Sequence, residues 1–377
     1  MQEAEAWCEG SSTNHDSPQT IFENASLIAT GGSEQGGSGL GPSRAYSLAL
    51  APQIIYTQSA LIPLLVSSGV HEQLEFLAIG SWWVYDPAPA ASSDEQPQLG
   101  RLTRVPSSRE DIFSDDQINI RHKRALVKFL RFIADYQSEE NAPTWQPHAS
   151  IPFTEFLATQ FKVPQSLHPA LLALTMSREP PSKVTTTVAL AAIYRHLTSM
   201  NIFGPGFAAI LPKWGGLSEI SQVGCRAMAV GGGVYILNQG FQTIQETQNQ
   251  PGEQSEGEKW KVAIDDENVV STRFVVSSKS EPTASTRKQS QPQPDDLPAG
   301  IVAHSVSVIS SALTSLFPSV AEGAPIPAGA VIAFPSGSLK AANDFPVYLI
   351  VHSSDTGECP SGQSMSPFIC FHTFSLK

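Results

Sequence analysis

Charge is scarce in this 377-residue chain: Asp, Glu, Lys and Arg make up 15% of it, with 35 acids against 23 bases and a formal net charge of −12. Phosphate-rich partners demand clustered lysine and arginine, and no such cluster stands out along the sequence, so nucleic acid is not an expected partner. Cysteine is nearly absent. Cys8, Cys225, Cys359 and Cys370 lie far apart with no Cys-x-x-Cys spacing, which excludes a disulfide framework or a zinc site and reads as reduced thiols. No apolar run approaches the ~18 residues of a membrane span. The start, MQEAEAWCEG, carries acids where a secretory leader carries lysines, and the end, FHTFSLK, has no cysteine at a prenylation position. A cytoplasmic protein, neither secreted nor itself lipid-anchored, is expected.

Catalytic signatures are missing too. GGSEQGGSG (31–39) and AVGGGVY (229–235) lack both the Lys-Ser/Thr of a phosphate loop and a Gly-x-Gly-x-x-Gly between strand and helix. There is no His-Glu-x-x-His, no Gly-x-Ser-x-Gly and no paired metal ligands. The nine histidines are scattered, and one such as His122 or His304 reads as a surface or core residue. No catalytic residue, cofactor or metal is expected.

What the chain does have is turns, with 27 glycines and 29 prolines, and an apolar share of 41%, enough for a sizeable core. Residues 1–45 read as a flexible low-complexity segment and 46–108 as the first part of a sheet domain. Within the latter, 59–69 reads as a short helix stopped by Gly69, and LEFLAIGSWWVYD (74–86) as one or two strands. Residues 109–200 read as all-helical. Ser114 and Gln117 make a capping box; Leu126, Phe129, Leu130 and Ile133 keep helical spacing. Further helices are expected over 153–162, after Pro169, and over 185–200, where Arg195 and His196 suit the negative end of a helix dipole. Residues 201–242 return to sheet character with VYILN (234–238) as a strand. Residues 243–298 read as a low-complexity insert holding a hairpin turned at 265–268, and 299–377 as the rest of the sheet domain, with strands over 300–310, 330–337 and 346–354. A helical domain inserted into a sheet domain is the simplest architecture.

The densest stretch is PKWGGLSEISQVGCRAMAVGGGVYILN (212–238). If 220–230 is helical, Glu219 and Arg226 share a face about two turns apart, and the glycines at 231–233 permit a sharp turn. Taken alone, this reads better as a Gly-rich helix-to-strand connection with an incidental charge pair.

The same stretch resembles the GTPase-binding signature of the Rab escort protein and Rab GDP-dissociation inhibitor family. Glu219, Gln222, Arg226, Ala229, Val230, Gly232, Gly233, Tyr235 and Leu237 stand in register; Trp214 replaces a tyrosine, Ser221 a proline, and one extra residue precedes Glu219. The segment 105–132 is similar to the family's entry into its helical domain, and 151–161 and 168–176 to the helices that accommodate the isoprenoid. The resemblance implies an α/β (α+β) fold: an FAD-binding-like sheet domain with an inserted all-helical domain. It also implies a strand, glycine turn and helix ahead of Met1, so the sheet domain reads as N-terminally incomplete, and SMSPFICFHTFSLK (364–377) does not extend the likeness. By the resemblance, Trp214, Glu219, Gln222, Arg226 and Tyr235 bind GDP-bound Rab. Phe153 faces the geranylgeranyltransferase catalytic heterodimer, with an ordinary core phenylalanine as the alternative. Geranylgeranyl lipid and a transient membrane association complete the implied partners. The Arg-Glu-Asp-Ile-Phe run (109–113), Phe-Thr-Glu-Phe (153–156) and the insert favour the escort branch, an accessory subunit without catalytic residues. A plain inhibitor and a flavin-dependent oxidoreductase are the alternatives.

Overall fold

A computed structural model describes residue 8 and residues 25–28, 40–50, 52–87, 100–106, 112–113, 118–237, 241–246, 260–264, 268–276, 302–319, 323–339 and 343–371. The chain divides into two compact units. One comprises Met1–Gln35 with Ala229–Ala299, the other Gly36–Met228 with Gly300–Lys377.

The larger unit is built on an eight-stranded mixed sheet. Its strands are β1 (Ile55–Tyr56), β2 (Phe76–Asp86), β3 (Arg101–Arg104), β4 (Ala209–Pro212), β8 (Val302–Ile309), β9 (Gly329–Phe334), β10 (Val347–Ser353) and β11 (Ser364–Phe371), in the order β1-β4-β2-β9-β10-β11-β8, with β3 beside the end of β2. The 74–86 stretch forms a single strand. β2 is central: β4 and β3 share one edge, antiparallel, and β9 lies parallel on the other. Strands buried on both faces read as continuous apolar runs rather than alternating ones, which is why FLAIGSWW is so uniformly apolar. The register slips between Ile79 and Trp82, where Ser81 has φ 64°. The run beginning at Ser364, outside the family likeness, forms β11 between β10 and β8.

Helices pack onto this sheet through two separate cores. α1 (Leu61–Ser67) follows β1; α2 (Ile120–Ala134), α3 (Phe153–Phe156, continued by a π-helical turn over Leu157–Phe161), α4 (His168–Thr175) and α5 (Thr186–Ser199) lie between β3 and β4; α6 (Leu217–Val230) follows β4. α2 is capped by Asn119, whose side chain accepts from Arg121 N at 2.9 Å; the expected capping box at Ser114 and Gln117 lies outside the described residues. Its buried stripe, Leu126, Phe129, Phe132 and Ile133, meets Phe153, Phe156 and Phe161. Ring centroids there lie 4.9–6.2 Å apart in tilted or edge-on pairs, the geometries aromatic quadrupoles favour. The same core continues onto the sheet through Ile79, Trp82, Leu211 and Val331. On α5, Arg195 behaves as a surface cation, 4.6 Å from the Tyr56 ring centroid. His196 does not serve the helix dipole. It is buried edge-on against Trp82 at 4.7 Å, and burial, with the nearby Arg195 charge second, pushes its pKa down to about 4, so it stays neutral.

A second core, Ile55, Ala78, Phe207 and Ile210, takes in Leu61, Leu217 and Ile220, and so seats the start of α6 on β1, β4 and β2. In the smaller unit, β5 (Thr243–Glu246), β6 (Trp260–Ala263) and β7 (Val269–Thr272) form an antiparallel sheet. The hairpin is present, though residues 265–267 of its turn lie outside the described residues. So do most of residues 1–39, the glycine-rich run 31–39, and the bulk of the two low-complexity runs. The described part of VYILN, residues 234–237, is not a strand: residues 233–236 are irregular, after Gly232 at φ 88°. Val234, Ile236 and Leu237 are exposed, and no neighbouring strand pairs with them among the described residues. Apolar composition alone does not make a strand without a ladder partner.

Candidate functional site

The site begins where β4 ends. Pro212 closes the strand, and the chain turns through Lys213, Trp214, Gly215 and Gly216 into α6. Two distant segments hold this turn. Lys213 N donates to the Glu75 carbonyl at 2.9 Å and Lys213 Nζ meets Glu75 Oε1 at 2.9 Å, while Trp214 N donates to the Thr356 carbonyl at 2.7 Å. Trp214 sits in the left-handed region at φ 78°, an outlying conformation for so bulky a residue. Strain of this kind costs of order 1–3 kcal/mol and persists only where surrounding bonds over-determine it. Its indole lies across Gly357, where a Cβ would come within 2.3 Å of the ring. Gly357 has φ 77°, so both the conformation and the space at that position require glycine. The Lys213 ammonium lies 4.9 Å from the Trp214 ring centroid, and Trp214 remains 56% exposed.

Behind the tryptophan lies a cleft of about 630 Å³, lined among others by Lys213, Trp214, Ile326, Asp355, Gly357 and Cys359. Between its lining residues Gly357 and Cys359, Glu358 is buried: its Oε2 pairs with His352 Nδ1, and Thr356 Oγ1 donates to the same oxygen at 3.1 Å. Burial, with the Glu358 carboxylate second, pushes the Cys359 thiol up to about 11, so it stays protonated and unreactive at neutral pH.

α6 begins at Leu217. Ser218 Oγ donates to the Gly215 carbonyl at 2.7 Å and Glu219 N to the Gly216 carbonyl at 3.1 Å. Glu219 stands in the first turn, where the helix dipole favours an acid, and accepts from Gln222 Nε2 at 3.2 Å. Arg226, seven residues on, is exposed, and among the described residues it has no ion-pair partner. Seven residues rise about 10 Å along a helix, so Glu219 and Arg226 act outward as separate charges rather than as a pair. Only Val223 of α6 is buried, and residues 224–230 are exposed throughout.

The structure therefore gathers Trp214, Glu219, Gln222 and Arg226 on one turn-plus-helix surface. Tyr235, 43% exposed, belongs to the smaller unit. Phe153 has no exposed surface and stacks in the α2–α3 core, its ring centroid 5.9 Å from that of Phe129; it packs α3 rather than presenting a contact. The local motif does not reveal Glu75, Thr356 and Gly357. The one available signal for the latter two was the Gly-containing stretch after β10.

The sequence model of the GDP dissociation inhibitor family matches residues 25–280. Among curated proteins, the chain is 29% identical over 345 residues to the "Rab proteins geranylgeranyltransferase component A" of Saccharomyces cerevisiae, covering 91% of this chain and 50% of that protein. It is 26% identical over 352 residues to the protein of the same name from Candida albicans, covering 91% and 49%. It is 32% identical over 205 residues to component A 2 of Mus musculus, covering 54% and 30%. The chain thus spans about half the length of the fungal relatives it matches. Among solved structures, Rab GDI from Plasmodium falciparum, which has an FAD-binding-like fold, aligns with a TM-score of 0.61 at 14% identity, covering 89% of this chain and 69% of that one. The match runs across the helical stretch, the turn after β4 and the whole of α6, and on it the chain belongs to the GDP dissociation inhibitor family.

Proposed function

We propose that this chain binds GDP-bound GTPases of the Rab class and slows their release of nucleotide, acting as a chaperone rather than a catalyst. The observation that carries this is α6: a helix with a single buried residue, presenting Glu219, Gln222 and Arg226 beside a strained, half-exposed Trp214. A carboxylate and a guanidinium give oriented, charge-assisted hydrogen bonds, and an exposed tryptophan is the kind of anchor that dominates protein interfaces. By the family likeness, Tyr235 is a further Rab contact. The relatives' names favour the escort branch, in which the chain presents new Rab to the geranylgeranyltransferase heterodimer and has no catalytic residues of its own. In this reading residues 109–200 form the helical domain that shelters the geranylgeranyl group, and the protein is cytoplasmic with transient visits to membranes. Each prenyl methylene removed from water contributes ~0.8 kcal/mol, which is what makes extraction of a lipidated GTPase possible. Among the described residues no helix is long and apolar enough to cross a membrane.

The test is reconstitution of the transferase heterodimer with unmodified, GDP-loaded Rab and labelled geranylgeranyl donor, with and without this chain. The escort reading expects prenylation to depend on the chain. Binding of Rab without support of prenylation would leave a plain inhibitor, and no binding at all would overturn both.

A further inference from the structure

We propose that the outward face of α2 (Ile120–Ala134) is a docking surface for acidic phospholipid headgroups. Arg121, Arg124, Lys128 and Arg131 are all exposed. Their spacing of three, four and three residues places them within roughly an 80° arc, in a row about 15 Å long. α2 contains no Asp or Glu, and among the described residues none of the four cations has an ion-pair partner. Lys128 Nζ lies 5.6 Å from the Phe161 ring centroid. The helix's fifth cation, Lys123, points inward and donates to the Phe113 carbonyl at 2.7 Å.

This arrangement opposes the helix's own stability. Like charges three or four residues apart repel, and Arg121 and Arg124 occupy the first turns, where the dipole favours acids. In a chain with a net charge of −12, acids to relieve the row are plentiful, yet none stands within α2, and the exposed Asp135 comes only at its C-terminal cap, four residues past Arg131. An anionic counterpart accounts for a row kept at that cost. The form of the row favours a membrane over an acidic protein. Protein hot spots centre on a buried aromatic or arginine anchor, whereas this is a straight line of cations without an aromatic member, suited to a plane of headgroups. Ile120, 54% exposed at the row's edge, adds an apolar group able to enter the interfacial layer. The rest of the acidic chain is repelled by such a surface, so the row also sets the orientation in which the protein approaches.

Flotation of the chain with vesicles tests this without any GTPase present, so its failure leaves the Rab-binding reading untouched. The expected result is retention on vesicles containing about 30% phosphatidylserine at low salt, none on pure phosphatidylcholine, and release at about 0.5 M salt. At about fivefold per cation, Arg124→Gln with Lys128→Gln weakens binding roughly 25-fold, and the double Glu replacement about a hundredfold or more. The Gln pair should melt no lower than wild type, because it removes a repulsion. Equal partition onto neutral and acidic vesicles, undiminished binding by either double variant, or no retention on phosphatidylserine at low salt (the outcome expected if the row serves an acidic protein) would each overturn the proposal.

Discussion

α5 and α6 are both 14 residues long, and the chain uses them in opposite ways. α5 buries Thr186, Ala189, Leu190, Ala192, Ile193, His196 and Ser199 between the sheet and the other helices. α6 buries Val223 alone and is seated by Leu217 and Ile220 at its first turn. Helices gain most of their stability in proteins by packing an apolar face, so α5 is held by what it covers. α6 is held at one end, and its remaining length contributes little to folding. Glu219, Gln222 and Arg226 therefore stand on a stretch that packing does not require. A surface that folding does not need is where a partner's requirements are written most plainly.

Substitutions can break this contrast from either side. The largest effect is expected in α5. Leu190 is fully buried, and Leu190→Ala should cost 2–5 kcal/mol in chemical denaturation, the range for removing a buried leucine. His196 comes next. Its folded pKa of about 4 lies below the ordinary 6.5, so between those values the unfolded chain binds more protons and stability rises with pH. Acidification from pH 6.5 to 5 should then cost about 2 kcal/mol through this residue, at 1.36 kcal/mol per pH unit. His196→Gln should flatten that part of the pH–stability curve, and an unchanged slope would show that another group titrates there. The smallest effect belongs to α6: Arg226→Ala should shift unfolding by no more than about 0.5 kcal/mol, as for surface positions away from special features.

Much of this was legible in the sequence. Helical periodicity marked α2, a mostly apolar run closed by Arg195 and His196 marked α5, and a strongly apolar run marked β2, because burial leaves a trace along the chain. Other features depend on contacts between distant segments and left no trace. Trp214 is identifiable as an aromatic beside two glycines, but its left-handed conformation is imposed by Glu75 and Thr356, far away in sequence. His196 looked like a dipole partner because its place near a helix end is local information, whereas its burial under Trp82 is not. VYILN has the composition of a strand and, among the described residues, no strand pairs with it. The basic row of α2 lies in a run of five Lys or Arg between Arg121 and Arg131 with no acid, outweighed in a chain of net charge −12, and only the helix brings four of those cations onto one side. For Phe153, the bland alternative of a core phenylalanine is what the structure displays.

The most direct test of the central claim is equilibrium binding of GDP-loaded Rab to the wild-type chain and to Arg226→Ala, with the melting temperature of each measured alongside. The account predicts that the variant binds at least tenfold more weakly while melting within a degree or two of wild type, as expected when a charge-assisted contact is lost from a surface that folding does not use. Equal affinity for the two proteins would contradict it.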